Sequence, residues 1–116
     1  MGFGGMSGNL SKMLMKQMEE MQRKMERIQA ELGEERLEAS AGGNMVTAVA
    51  NGLGELIDIR VKPEVVDPDD VEMLQDLILA AVNEALTRAN ARKEERMGEV
   101  TGGLNIPGLG KLPGRF

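Results

Sequence analysis

The sequence contains no cysteine, histidine, tryptophan or tyrosine, and its two aromatic residues, Phe3 and Phe116, stand near its ends. Without cysteine no disulfide can form, which fits a reducing cytoplasm. A Cys/His zinc site is excluded, as is any catalytic cysteine or histidine. No nucleophile–base pair is in evidence, so neither an enzyme nor a cofactor, metal or small-molecule substrate is expected. With no aromatic in the folded region, a single-strand binder built on base stacking is disfavoured. No apolar run approaches the roughly 20 residues that span a bilayer, and no basic-then-apolar leader opens the chain. The expectation is one soluble cytoplasmic domain with no membrane partner.

Methionine is abundant, at ten of 116 residues. Five of these, Met13, Met15, Met18, Met21 and Met25, fall in one segment. At helical spacing such a stripe is more often core than a promiscuous binding face. The net charge of −5 is unevenly spread. Residues 1–30 hold five basic and three acidic groups, residues 31–84 three basic and thirteen acidic, and residues 85–116 six basic and three acidic. An acidic middle repels DNA, so any contact with a polyanion must use the ends.

Residues 1–8 are Gly-rich and expected to be flexible. Asn9 or Ser11 can cap a following helix. Leu14, Met18, Met21, Met25, Ile28 and Leu32 then recur in steps of 4, 3, 4, 3 and 4, the narrow seam of a helix that packs along another helix. Gly33 is the expected stop. Three strands follow, over Arg36–Ala41, Met45–Asn51 and Glu55–Val61, with turns at Gly42-Gly43-Asn44 and at Gly52 and Gly54. Val46, Ala48 and Ala50 share one face; Ile57, Ile59 and Val61 alternate with Asp58 and Arg60. A second helix starts with Asp67 as N-cap and Pro68 in its first turn and runs to about Met97, with Gly98 as stop and no proline to place a kink. Its stripe is Val71, Leu74, Ile78, Ala81, Ala85 and Ala89. The Gly/Pro-rich tail, 102–116, is expected to be disordered. The fold class is α+β, with one domain over 9–101: a long N-terminal helix, a three-stranded antiparallel meander and a long C-terminal helix.

A helix from residue 9 to 32 is roughly 36 Å long at 1.5 Å per residue, and a seven-residue strand covers roughly 23 Å. The helix must overhang the sheet, yet its seam continues to Leu14 and Met18. Those side chains need a partner, which the end of the second helix or a second copy can supply. Homodimerisation would also cover the sheet edges and enlarge a small core. A monomer folding its Met and Leu side chains onto one sheet is the alternative.

Residues 72–104 resemble the C-terminal helix and tail of the YbaB/EbfC family of nucleoid-associated DNA-binding proteins. The likeness rests on Leu74, Asp76, Leu77 and Ile78, on Ala80, Ala81, Asn83 and Ala85, and on the basic Arg88, Arg92, Lys93 and Arg96. Met97 before Gly102-Gly103-Leu104 completes it, and the Met-rich first helix and central strands also fit. The resemblance implies a tweezer-like bacterial homodimer, located on the nucleoid, that binds double-stranded DNA with weak or modest sequence preference and alters its conformation. The competing expectation is a non-catalytic adaptor that holds a protein partner through the Met-rich helix.

On that reading Lys12, Lys16, Arg23, Lys24, Arg88, Arg92, Lys93 and Arg96 are the candidate DNA contacts. If the helices pack antiparallel, Lys12 and Lys16 should lie near Arg92, Lys93 and Arg96, with Arg23, Lys24, Arg27 and Arg88 nearer the body. The structural alternative is a set of solvated helix faces with Glu19–Arg23 and Glu20–Lys24 pairs. Leu14, Met18, Met21, Met25, Ile28 and Leu32 are assigned to helix or dimer packing. Asn83, among apolar neighbours, is read as a buried hydrogen bond that sets helix or dimer register. The Asp67, Asp69 and Asp70 cluster lacks calcium-loop spacing and is explained by capping. Lys111 and Arg115 in the tail could add loose contacts.

Overall fold

The computed structural model describes residues 3–101 along the backbone and 8–100 with side chains; the expectation for the 102–116 tail lies outside the described residues. Helix α1 spans Phe3–Glu34, strands β1, β2 and β3 span Leu37–Ala41, Val46–Ala50 and Leu56–Val61, and helix α2 spans Val71–Thr101. A short 3-10 turn at Pro63–Val65 joins β3 to the approach of α2. The strands form an antiparallel sheet in the order β1-β2-β3. The molecule extends 83 × 30 × 16 Å along its principal axes, a shape set by helices far longer than the strands between them.

The core lies between α2 and the inner face of β1 and β2. Val46, Ala48 and Ala50 are fully buried there, as the alternation of that strand predicts, and Ala39 joins them from β1. From α2 the matching face is Ala81, Ala85 and Ala89, each fully buried at four-residue spacing. Alanine on both surfaces lets the helix lie close to the sheet. Leu74, Leu77, Ile78, Val82 and Leu86 close the margins. The other face of the sheet is polar around a buried Val49: Ser40 Oγ and Thr47 Oγ1 share a hydrogen bond of 2.9 Å, and Arg60 pairs with Asp58 at 3.1 Å and Glu38 at 3.6 Å.

α2 covers β1 and β2 and hardly reaches β3. Leu56, Ile57 and Ile59 therefore stay 43 %, 45 % and 38 % exposed beside an open strand edge. A bulge between β2 and β3 pairs Ala50 with Leu56 and Val49 with Asp58, leaving Ile57 without a partner. That extra residue interrupts the regular alternation expected over Ile57–Val61.

The Gly42-Gly43-Asn44 turn is confirmed with φ of +64°, +65° and +70°. At Gly42 a Cβ would also sit 2.8 Å from Leu77 Cδ2, so that side chain would have to shift to admit one. Four helix boundaries differ from expectation. α1 begins at Phe3, ahead of the Asn9/Ser11 capping signal and within the segment expected to be flexible; glycine lowers helix propensity without forbidding the geometry. Gly33 and Gly98 stop neither helix: both lie inside one and neither has a positive φ. The N-cap of α2 is Asp70, whose Oδ1 accepts the Met73 N–H at 3.2 Å, and not Asp67. Asp67 instead accepts the Asp69 N–H at 2.9 Å and shapes the turn around Pro68.

The C-terminal end of α1 is held by the loop between β2 and β3. Leu32 O accepts the Gly52 N–H at 2.8 Å. Asn51, 3 % exposed, organises that loop: its Oδ1 accepts from Leu53 N and Glu55 N, each at 3.0 Å, and its Nδ2 donates to Glu55 Oε1 at 2.7 Å. Ile28 and Leu32 pack against Val100, Met97 and Leu53. Leu14 and Met18 of the same seam remain exposed, because α2 ends before it can cover them, and Met25, although level with α2, is 38 % exposed. No helix among the described residues is long and apolar enough to cross a membrane.

Candidate nucleic-acid interface

α1 and α2 run antiparallel, in a register fixed by several contacts. Arg96 Nη2 donates to Glu31 Oε1 at 2.5 Å, and Lys24 Nζ donates to Glu99 O at 2.9 Å. Arg96 therefore lies level with Glu31, and Lys16 stands fifteen residues farther along α1, roughly 22 Å away at 1.5 Å per residue. The expected grouping of Lys12 and Lys16 with Arg92, Lys93 and Arg96 does not form. The reason is length: α2 ends opposite the middle of α1, and the outer half of α1 projects alone.

The arginines of α2 are engaged with acids. Arg92 Nε donates to Glu35 Oε1 at 2.6 Å, and its Nη1 pairs with Glu95. Besides Glu31, Arg96 meets Glu35 Oε2 at 3.6 Å; its Nε lies 3.1 Å from Glu99 Oε2, within ion-pair reach but not aligned for a hydrogen bond. Two arginines thus face four carboxylates. The hydrogen bond that Arg92 donates to Glu35 raises its pKa, the one that Arg96 donates to Glu31 raises that of Arg96, and the same bond lowers that of Glu31. This cluster joins the helices and presents a negative surplus to a phosphate. Arg88 is also committed, to Glu84 Oε1 at 3.2 Å and to Glu38 O on β1 at 2.6 Å.

Lys24 caps a carbonyl in the last turn of α2, and Arg36 does the same for α1, donating to Gly33 O and Glu35 O at 3.1 and 2.9 Å. Cations near helix C-termini are favoured by the helix dipole. Neither Arg23 nor Lys24 closes an ion pair with Glu19 or Glu20 among the described residues.

What remains is a row along α1. Lys12, Lys16, Arg23 and Arg27 recur in steps of 4, 7 and 4, which puts them on one side of a helix, opposite the Leu14–Leu32 seam. All four are exposed and close no ion pair among the described residues. They span roughly 22 Å of helix at 1.5 Å per residue. Arg27, set aside with the body by sequence reasoning, belongs to this row; its spacing from Arg23 and Lys16 was the available signal. Lys93 is exposed on α2.

Asn83 is exposed in the single chain and makes no buried hydrogen bond that sets helix register within it. Its neighbours Ala81 and Ala85 face the sheet, whereas Asn83 turns outward and lines a groove with Gly54, Leu86, Thr87 and Asn90. The groove borders the uncovered β3.

Residues 6–104 match the model of the YbaB/EbfC DNA-binding family. The chain belongs to the YbaB/EbfC family. Its relatives include a nucleoid-associated protein of Alkaliphilus metalliredigens, 57 % identical over 110 residues that cover 93 % of this chain and 96 % of that protein. Another, from Acetivibrio thermocellus, is 59 % identical over 109 residues and covers the same shares. The fold is similar to the crystal structure of an uncharacterized Helicobacter pylori protein, with a TM-score of 0.64, 24 % identity, and coverage of 79 % of this chain and 94 % of that one. Within this YbaB/EbfC chain, the projecting half of α1 is where basic side chains stand clear of the acidic body.

Proposed function

We propose that the protein binds double-stranded DNA as a homodimer, with weak or modest sequence preference, and alters the duplex's conformation on the bacterial nucleoid without catalysing a reaction. The observation that carries this reading is the unpaired row Lys12, Lys16, Arg23 and Arg27 on the outward side of a projecting helix. Cations in such a row neutralise phosphates and release condensed counterions, a contact that carries little base information. The acids of residues 31–84 stay at the other end of the arm, where they repel DNA least. Membership in a DNA-binding family and the nucleoid-associated names of its relatives support the same reading.

The uncovered β3 supports the presence of a second copy. Leu56, Ile57 and Ile59 lie exposed along an open edge, beside the groove that Asn83 and Leu86 line. Pairing two such edges would extend the sheet, cover these side chains and set two basic arms in one particle.

Titrating random-sequence duplex with salt tests the proposal. Four neutralised phosphates per arm give a log–log slope near −3.6, about a 150-fold loss of affinity per arm between about 50 and 200 mM salt. Alanine at Lys12, Lys16, Arg23 and Arg27 together removes that slope and leaves the dimer intact. Absence of binding at low salt, or an unchanged slope in this variant, overturns the proposal. Ile59→Lys yields a monomer by light scattering if β3 forms the interface; an intact dimer assigns the interface elsewhere.

A further inference from the structure

The apolar seam of α1 has one physical character and two environments. Where α2 covers it, Ile28 is 1 % exposed and Leu32 0 %. Past the last turn of α2, Leu14 is 51 % exposed and Met18 69 %, although the 3- and 4-residue spacing is unbroken. Between these regions lies a groove of about 430 Å³ lined by Leu14, Gln17, Met18, Met21, Lys24 and Val100, with Glu20 at its margin. Val100 is buried against Ile28, so α2 ends at the head of this groove, pointing along the exposed seam.

The chain that follows Thr101 reads GGLNIPGLGKLPGRF. Gly102, Gly103, Pro107 and Pro113 are residues of low helix and strand propensity. Leu104, Ile106, Leu109 and Leu112 nonetheless recur through it, with Lys111 and Arg115 and no acidic residue. An extended stretch rises about 3.1 Å per residue, so Gly102–Leu112 can reach about 34 Å. The seam from Met21 back to Leu10 needs only about 17 Å at the helical rise. No chain reversal is needed, because α2 already travels toward the N-terminal end of α1.

We propose that residues 102–116 lie in this groove and along the exposed seam, with Leu104, Ile106 and Leu109 covering Leu14, Met18 and Met21. A tether gives the segment a local concentration in the millimolar range, an advantage that a free partner or another copy lacks. The two cations of the segment suit a groove whose Lys24 is already bound to Glu99 O and whose other charge is Glu20. The outer half of α1 then has a covered seam on one side and its basic row open on the other.

Methionine oxidation by dilute peroxide, read by mass spectrometry on the full chain, tests this with an internal control. Met13 and Met15 flank the seam and are 62 % and 61 % exposed; Met18, on the seam, is 69 % exposed. If the segment covers the seam, Met18 oxidises at least about three-fold more slowly than Met13 and Met15 in the native protein. In the full-length Leu104→Asp, Ile106→Asp, Leu109→Asp variant, Met18 rises to the rate of the other two. Equal rates in the native protein overturn the inference, as does protection that the variant retains. Protection that disappears on dilution also overturns it, assigning the seam to a second copy.

Discussion

Gly52→Ala should be among the most damaging single-methyl additions in this chain, because of where Leu32 stands. An added Cβ would lie 2.7 Å from Leu32 Cδ2, 2.9 Å from Leu32 O and 3.0 Å from Leu32 Cβ. The methyl end could swing aside only into packed surroundings, since Leu32 is 0 % exposed. The carbonyl oxygen is backbone, and it holds the Gly52 N–H at 2.8 Å, so it cannot retreat without stretching that bond. Overpacking costs about 1–3 kcal/mol and a weakened hydrogen bond about 1 kcal/mol more, giving about 2–4 kcal/mol in all. At about 4–8 °C per kcal/mol for a domain of this size, the melting temperature falls by about 10 °C or more. Gly33→Ala is the control. Its Cβ would meet only Leu53 Cδ1, at an ordinary 3.6 Å, and Gly33 is helical, so alanine should stabilise by about 0.5–1 kcal/mol. Thermal unfolding followed by circular dichroism separates the two, at one protein concentration because self-association shifts the midpoint. Midpoints that move in the same direction by similar amounts would refute the claim that this loop clasps α1.

Asn51→Ala leaves the Leu53 and Glu55 N–H groups without their acceptor and should cost about 1–3 kcal/mol, seen as a lower denaturant midpoint. Arg92→Ala with Arg96→Ala should lower thermal stability but leave the salt slope of DNA binding unchanged, because both side chains are spent on carboxylates. The Glu31 carboxyl is held below its ordinary value of 4.5 by the Arg96 hydrogen bond. Its contribution is therefore complete above about pH 4.5 and is lost as pH falls through the lowered value. Glu31→Gln should flatten that acid limb of the melting-temperature profile by a small amount, since the Glu31 side chain is half exposed and solvent screens the pair. Arg96 stays charged throughout that range, its own pKa being raised.

The division of labour between the two helices follows from these contacts. On α2 the basic residues opposite Glu31 and Glu35 became structural, because helix register brought those acids within reach of them. On α1 the row Lys12, Lys16, Arg23 and Arg27 closes no ion pair among the described residues: Lys12 and Lys16 project past the end of α2, and Arg23 and Arg27, level with it, lie on the side of α1 opposite the packed seam. Charge counted along the chain cannot separate these two groups. The offset between the helix ends, together with the face each cation occupies, does.

Local pattern was enough to determine the element order, the three strands to within about a residue, the inward face of Val46, Ala48 and Ala50, and the alanine face of α2. These depend on periods of 2 and 3.6 residues, which are written in consecutive side chains. The family was legible for the same reason, as an ordered run of residues over α2. Tertiary structure decided what depends on residues distant in sequence: that α2 stops short of Leu14 and Met18, that Arg92 and Arg96 meet Glu35 and Glu31, that Asn83 faces outward, and that β3 is left uncovered. Each is a matter of how far one rigid element reaches along another, and reach is fixed by the packing of Gly52 on Leu32 and of Ala85 on the sheet, not by any local propensity.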